Sequence, residues 1–82
     1  MSRDAILKKV VSRLPEDMKT VYDQAVAGSA ESQYKIGMYL YKSGDADTMA
    51  VGIGALAMSA KQGHSGARSF WESERKDWRE YL

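Results

Sequence analysis

The sequence predicts an all-α protein of about five antiparallel helices, arranged as a minimal α-solenoid of helix-turn-helix repeats. Three observations lead to this fold class. Apolar residues recur at helical spacing, and no segment alternates apolar and polar residues as a strand does. Glycines separate several of the helical patterns. Two of these, Gly28 and Gly63, stand 35 positions apart (63 minus 28), which fits a repeat of two short helices with their turns.

The first two helices are predicted on either side of the only proline. The first is expected over Asp4 to Leu14, because Ile6, Leu7, Val10, Val11 and Leu14 form one apolar stripe. Pro15 ends it and opens the second helix, since proline disfavours a helical residue before it and is itself favoured at the first helical position. We expect the second helix to end at Gly28 in the left-handed conformation that glycine adopts most easily.

The third helix is expected over Ala30 to Lys42, with Ser29 as its N-cap. Apolar residues nearly surround this helix, which predicts contacts on more than one of its sides. Gly37 lies in its middle and lowers helix stability by about 1 kcal/mol relative to alanine. We therefore expect another helix to approach closely at Gly37.

The fourth and fifth helices follow the turn at 43–45 and the cap at Gly63. The fourth is expected over 46–62, capped by Asp45 or Asp47, and its thin, mostly apolar character predicts a central position. The fifth is expected over 65–81, with one stripe formed by Ala67, Trp71, Glu74, Trp78 and Tyr81. Charges of alternating sign cover its other faces, and such a pattern is typical of a solvated surface.

Composition restricts the classes of function. The 82 residues make one domain, and they include no cysteine, so neither a disulfide framework nor a thiolate metal site is expected. The net charge of +1 gives no strong electrostatic reason to expect a nucleic acid or membrane partner. Charges interrupt the short apolar run at the start, and no run approaches the roughly 20 apolar residues that span a bilayer. We therefore expect a cytoplasmic protein.

No residues form a recognisable catalytic, cofactor or metal constellation. His64 is the only histidine and follows a glycine that ends a helix, so we expect a cap or turn role for it. Gly52 and Gly54 lie inside a helical pattern, whereas a phosphate-binding loop needs a strand before its glycines. The acidic residues of the fifth helix alternate with basic ones, which favours ion pairing on a wet face. The sequence therefore predicts no enzyme activity, no cofactor and no metal.

Two segments carry a family resemblance. Residues 27–37 resemble the helix-A signature of the Sel-one-like repeat family, a relative of tetratricopeptide repeats, through Gln33, Ile36 and Gly37. Residues 57–67 resemble the family's helix-B ending, through Ala60, Gln62, Gly63 and His64. The match covers about half of the chain, as one repeat with half-repeats on either side. It departs from the family at Ala55 and Leu56, where a Trp-Tyr pair is usual, and at Trp71-Glu72, where Leu-Gly is expected.

This resemblance implies a protein-protein interaction module whose contact surface is lined by helices one, three and five. Aromatic residues beside basic ones are typical of binding hot spots. The expected partner contacts are Tyr39, Lys42, Trp71, Arg75 and Trp78. For Trp71 and Trp78 a role in the core stays open. A chain of this size and class is consistent with an inhibitor, an immunity protein or an adaptor, including one carried by a phage or plasmid, and with a monomer or weak homodimer.

The alternative hypothesis is a small helical nucleic-acid-associated protein. Lys8, Lys9 and Arg13 form a basic face on the first helix. Three charges give only a weak electrostatic footprint, and a basic rim for an acidic protein partner fits the same residues.

Overall fold

In a computed structural model, which describes residues 3–82, the chain forms five α-helices and a short 3-10 helix, without strands in that range. The elements are α1 (Arg3–Ser12), α2 (Glu16–Val26), α3 (Ala30–Tyr41), α4 (Ala46–Lys61), α5 (Ser65–Glu74) and the 3-10 helix η1 (Trp78–Tyr81). The all-α prediction is confirmed, and the first four helices lie within about two residues of their predicted bounds. Pro15 precedes α2 as its N-cap, so the second helix begins one residue later than expected.

The predicted glycine caps are present. Gly28 and Gly63 have φ values of +110° and +88°, a region that residues with a Cβ adopt at a cost. After Gly28, the Ser29 N–H donates to the Gln24 carbonyl, and the equivalent bond runs from the His64 N–H to the Ser59 carbonyl. Both helices therefore end in a Schellman motif.

Two side chains begin helices as predicted. The Ser29 hydroxyl accepts a hydrogen bond from the Ser32 N–H at 3.2 Å. The Asp45 carboxylate accepts one from the Thr48 N–H at the same distance. Each satisfies an amide that has no partner inside its own helix. Asp45, and not Asp47, is therefore the N-cap of α4.

The closest helix contact joins α3 to α4. A Cβ built on Gly37 would lie 2.6 Å from the Leu56 Cγ, and one built on Gly52 would lie 2.8 Å from the Gly37 carbonyl oxygen. The two backbones thus approach each other where both residues lack a side chain. This confirms the close contact expected at Gly37, and α4 is central because it also packs against α1, α5 and η1.

The core consists of two groups of buried apolar side chains. The first, between α1, α2 and α3, contains Val10, Leu14, Ala25, Ile36 and Leu40. The second, between α4 and α5, contains Leu56, Ala57, Ala60, Ala67 and Trp71. Packing of α2 on α3 and of α3 on α4 forms helical hairpins, while the arrangement of these hairpins as a solenoid stays a prediction.

The fifth helix is shorter than predicted. It ends at Glu74, because Arg75 adopts the left-handed conformation with φ +57°. The Lys76 N–H donates to the Trp71 carbonyl and the Arg75 N–H to the Glu72 carbonyl, so this is again a Schellman motif. The expectation of one helix to residue 81 was wrong because arginine seldom takes a position that glycine usually occupies. This bend turns the chain back, so that η1 packs against α4.

Candidate functional site

Two neighbouring surfaces carry the features of a binding site. The first is an open pocket of about 350 Å³ at the end of α5, which we name the carboxy-terminal patch. Its lining residues are Arg68, Trp71, Glu72, Arg75, Lys76, Asp77 and Trp78. The second is a wider apolar groove described below. The bend at Arg75 shapes the patch, because it places η1 beside α5 and not in line with it.

Trp78 is half-buried, and two guanidinium groups lie over its ring. The Cζ atoms of Arg68 and Arg79 are 5.6 Å and 5.1 Å from the ring centroid, within the range of cation–π contacts. The Arg68 Nε–H also donates to the Ala60 carbonyl at 2.9 Å, which fixes this side chain. The structure therefore holds positive charge beside an indole that remains partly accessible to solvent.

Trp71 lies beneath this surface. Its side chain is 3% exposed and packs against Phe70 and Tyr81, with ring centroids 5.4 Å and 5.0 Å away. The buried indole N–H of Trp71 has no hydrogen-bond acceptor among residues 3–82. A side chain this buried offers a partner almost no surface, so the expectation that Trp71 makes a direct contact is corrected in favour of its core role.

Basic groups outnumber acidic ones by one among the residues that line the patch. Arg68, Arg75 and Lys76 are basic, Glu72 and Asp77 are acidic, and all five side chains are exposed. Asp77 is already engaged, since its carboxylate accepts from the Arg79 N–H at 3.0 Å and lies 3.5 Å from the Arg79 guanidinium. The lining residues consequently carry a small excess of positive charge around Trp78.

The apolar groove has a volume of about 970 Å³ and is lined by residues of α1 to α4 and of the segment after α5. Buried Ile36 and Leu40 of α3 contribute to it, together with Leu7 of α1 and Val51 of α4. Lys61 is the single charged residue among its described lining residues. The groove is therefore almost neutral, in contrast to the carboxy-terminal patch.

Exposed apolar side chains converge on this groove. Five large hydrophobic residues are exposed in the described part of the chain, namely Val26, Tyr39, Met58, Tyr81 and Leu82. All except Tyr39 line the groove. Val26 is 70% exposed and Leu82 53% exposed, so the groove is open along its rim. Apolar surface gathered in one place typically marks a binding site, whereas scattered single residues do not.

Gln33 and Gln62, which carry part of the family resemblance, both line the groove and connect the helices around it. The Gln62 Nε2 amide lies 2.9 Å from both the Gly28 carbonyl and the Gln33 Oε1, and donates to each. The buried Gln33 in turn donates to the Ala25 carbonyl at 3.1 Å. These residues connect the ends of α2 and α4 to α3, so their role is in the fold.

His64 is the N-cap of α5, as the sequence led us to expect. Its Nδ1 accepts from the Ala67 N–H at 3.1 Å, which leaves the proton on Nε2 to be donated to the Glu31 carboxylate. The ring also stacks on Tyr34 with centroids 4.7 Å apart. The hydrogen bond from His64 is the main reason that the pKa of Glu31 is below its usual value.

The predicted contact residues do not all meet. Arg75 and Trp78 lie together in the carboxy-terminal patch, with Trp71 beneath them. Tyr39 of α3 and Lys42, the C-cap of that helix, are exposed but line neither surface. The groove residues Val26, Met58 and Leu82 were not among the expected contacts, because an apolar residue in a helical stripe gives no sign that the protein leaves it uncovered.

The basic face of α1 lies next to acidic residues. The Lys9 Nζ is 3.7 Å from the Asp47 carboxylate. The pKa of Asp45 is lowered chiefly by hydrogen bonds from Thr48, with a smaller effect of the charges on Lys9 and Arg13. These carboxylates reduce the local positive charge on which nucleic acid binding by this face would depend.

Residues 3–82 contain no group of three or more His, Asp or Glu side chains arranged to hold a metal ion. Within the same range, no helix combines the length and apolar character needed to cross a membrane. No family model, curated protein or solved structure matches this chain. The resemblance to Sel-one-like repeats therefore remains a prediction from the residues quoted above.

Proposed function

We propose that this chain is a small protein-binding module, with no catalytic role, that takes up the apolar face of a helix from a partner protein in its groove. One observation supports the proposal above all. Four of the five large exposed hydrophobic residues in the described part of the chain line a single groove. Leaving this apolar surface in water is unfavourable, and covering it would provide the driving force for association.

The shape of the groove favours a segment of a macromolecule. Pockets for small molecules bury most of their ligand, whereas Val26 and Leu82 stand exposed along the rim of this open groove. Its walls are themselves helices, and a helix laid between helices packs its side chains into theirs. Recognition of an amphipathic helix in a hydrophobic groove is a recurring mode of peptide binding.

The charge of the groove supports the same occupant. Lys61 is the single charged residue among the described lining residues, so a partner needs an apolar face more than a charged one. A nucleic acid backbone would find few counter-charges here. Binding through Lys8, Lys9 and Arg13 is the less supported alternative, because Asp47 lies beside that face. An inhibitor, an immunity protein and an adaptor would each use such a groove, and we propose a monomer or weak homodimer before the partner binds.

The test compares two substitutions with similar exposure. Met58 is 44% exposed and lines the groove, while Tyr39 is 45% exposed and does not. Proteins captured from the native host with the wild-type chain would be purified, and their affinities measured for the Met58→Glu and Tyr39→Glu variants by isothermal titration calorimetry. We expect Met58→Glu to weaken binding by at least about tenfold and Tyr39→Glu by less than about twofold.

The opposite ranking would place the contact surface on the exposed side of α3, where Tyr39 and Lys42 lie, and would refute the groove. Equal affinities for wild type and both variants would refute it as well. Circular dichroism of both variants provides the control, because each replaces an exposed side chain and should retain the helical spectrum.

A further inference from the structure

We propose that the carboxy-terminal patch binds an acidic segment of the partner protein, with its carboxylates on the basic side chains and an apolar group on the exposed part of Trp78. This inference rests on the proposed function, since it specifies the chemistry of a partner whose apolar helix occupies the groove. It concerns a second surface, which is separately testable.

Charge complementarity is the first argument. Three basic side chains line the patch against two acidic ones, and one of these, Asp77, is already paired with Arg79 and with the cap of η1. Glu72 is therefore the one lining carboxylate left to balance the charges of Arg68, Arg75 and Lys76. Guanidinium groups match carboxylates in geometry, because two parallel N–H groups can bond both oxygens.

The basic groups are also held in place before any ligand binds. Arg68 donates through Nε to the Ala60 carbonyl and lies over the Trp78 ring, and Arg79 lies over the same ring. Side chains that are already ordered lose less conformational entropy when they bind. An indole in contact with two guanidinium groups also provides an apolar contact next to the charges, a combination typical of protein interfaces.

The backbone at Arg75 is the second, independent argument. Its φ of +57° is a conformation in which glycine would end α5 at lower cost. An arginine here places a guanidinium at the rim of the pocket, and strained backbone is often found where the side chain serves a function.

The two surfaces adjoin each other. Trp71 lines the patch and packs against Tyr81, and Tyr81 lines the groove. One layer of side chains thus separates the apolar site from the basic one. A helix with an apolar face and an acidic flank fits both, whereas a nucleic acid has no counterpart to the apolar groove.

The experiment uses a fluorescein-labelled, glutamate-rich peptide with one central leucine, titrated with the full chain at low ionic strength and followed by fluorescence anisotropy. A lysine-rich peptide of equal length and a single-stranded DNA of equal charge serve as comparison probes. The test variant combines Arg75→Gly with Lys76→Gln, and glycine retains the left-handed cap. The matched control combines Lys8→Gln with Lys19→Gln, which removes the same charge from other helices.

We expect the acidic peptide to bind more tightly than either comparison probe. The patch variant should weaken its binding by about tenfold, and the control variant by less than about twofold. Equal weakening by both variants would show that only net charge matters and would overturn the inference. Tighter binding of DNA, or no binding of the acidic peptide to wild type, would also overturn it.

The Met58→Glu variant separates the two proposals, because this peptide does not require the groove. If the peptide fails to bind while Met58→Glu still weakens binding of a purified partner, the patch inference is refuted and the proposed function is supported. If the peptide binds through the patch while Met58→Glu leaves the affinity for the purified partner unchanged, the groove proposal is refuted.

Discussion

Alanine in place of Gly52 or of Gly54 tests the close contact that organises this fold. Both glycines lie in α4, two positions apart, and each substitution adds one methyl group. At Gly52 the new Cβ would lie 2.7 Å from the Tyr41 backbone nitrogen and 2.8 Å from the Gly37 carbonyl oxygen. At Gly54 nothing lies within 4 Å of it.

The magnitudes follow from these distances. Ordinary contacts of a Cβ begin near 3.4 Å, so α3 and α4 must separate by several tenths of an ångström to admit the methyl group added at Gly52. Overpacking costs about 1–3 kcal/mol, and the upper part of this range, about 2–3 kcal/mol, applies here because the close atoms belong to the backbone and cannot move aside. The higher helix propensity of alanine returns about 1 kcal/mol. We expect Gly52→Ala to lower the free energy of unfolding by about 1–2 kcal/mol. Gly54→Ala gains the helix propensity of alanine without a steric clash, so it should raise the free energy of unfolding by about 0.5–1 kcal/mol.

Thermal unfolding followed by circular dichroism measures the difference. In a domain of this size about 1 kcal/mol corresponds to roughly 4–8 °C, so the two variants should melt about 6 °C or more apart, with Gly54→Ala the higher. Equal melting temperatures, or stabilisation by both substitutions, would show that α3 and α4 do not approach each other at Gly52.

Three further predictions follow from the carboxy-terminal segment and the start of α3. Arg75→Gly should raise the free energy of unfolding by about 1 kcal/mol in urea titrations, because glycine adopts the left-handed cap without strain; a decrease would contradict the Schellman ending of α5. Trp71→Ala should lower the free energy of unfolding by about 3–5 kcal/mol, as truncation of a buried aromatic does. Trp78→Ala should lower it clearly less, because the Trp78 ring is half-exposed. Equal losses of stability in thermal melts would place both rings in the core. The pKa of Glu31 is lowered mainly by the hydrogen bond from His64, so the folded state binds fewer protons there than the unfolded state. The stability that this provides is present above the ordinary value of 4.5 and is lost as the pH falls through the lower folded pKa. In acid titrations Glu31→Gln should therefore lose stability less steeply than wild type, and identical slopes would contradict the bond.

The helices and their caps were predictable because they depend on local chemistry. Gly28 and Gly63 end helices through a conformation that glycine adopts at little cost, and Ser29 and Asp45 offer oxygens to unpaired amides. Gly37 signalled the contact with α4, since a glycine inside a helix is unfavourable unless something approaches it. Such signals are contained in a few neighbouring residues.

The end of α5 and the two candidate surfaces depended on the tertiary structure. The apolar pattern continues in phase through Trp71 and Trp78, so it gave no sign that Arg75 would turn the chain. Sequence spacing also could not separate a buried Trp71 from a half-exposed Trp78. The exposure of Met58 follows from the opening that the other helices leave beside it, and periodicity alone does not report such an opening.

The central claim is that a partner protein occupies the groove, and methyl NMR of the chain labelled at its methionines tests it most directly. Met58 lines the groove, whereas Met38 packs against the second core group and Met49 of α4 does not line the groove. On addition of purified partner, we predict that the Met58 methyl resonance shifts most and becomes protected from a soluble paramagnetic agent, while Met38 and Met49 change little. An unchanged, still accessible Met58 methyl in a saturated complex would contradict the account.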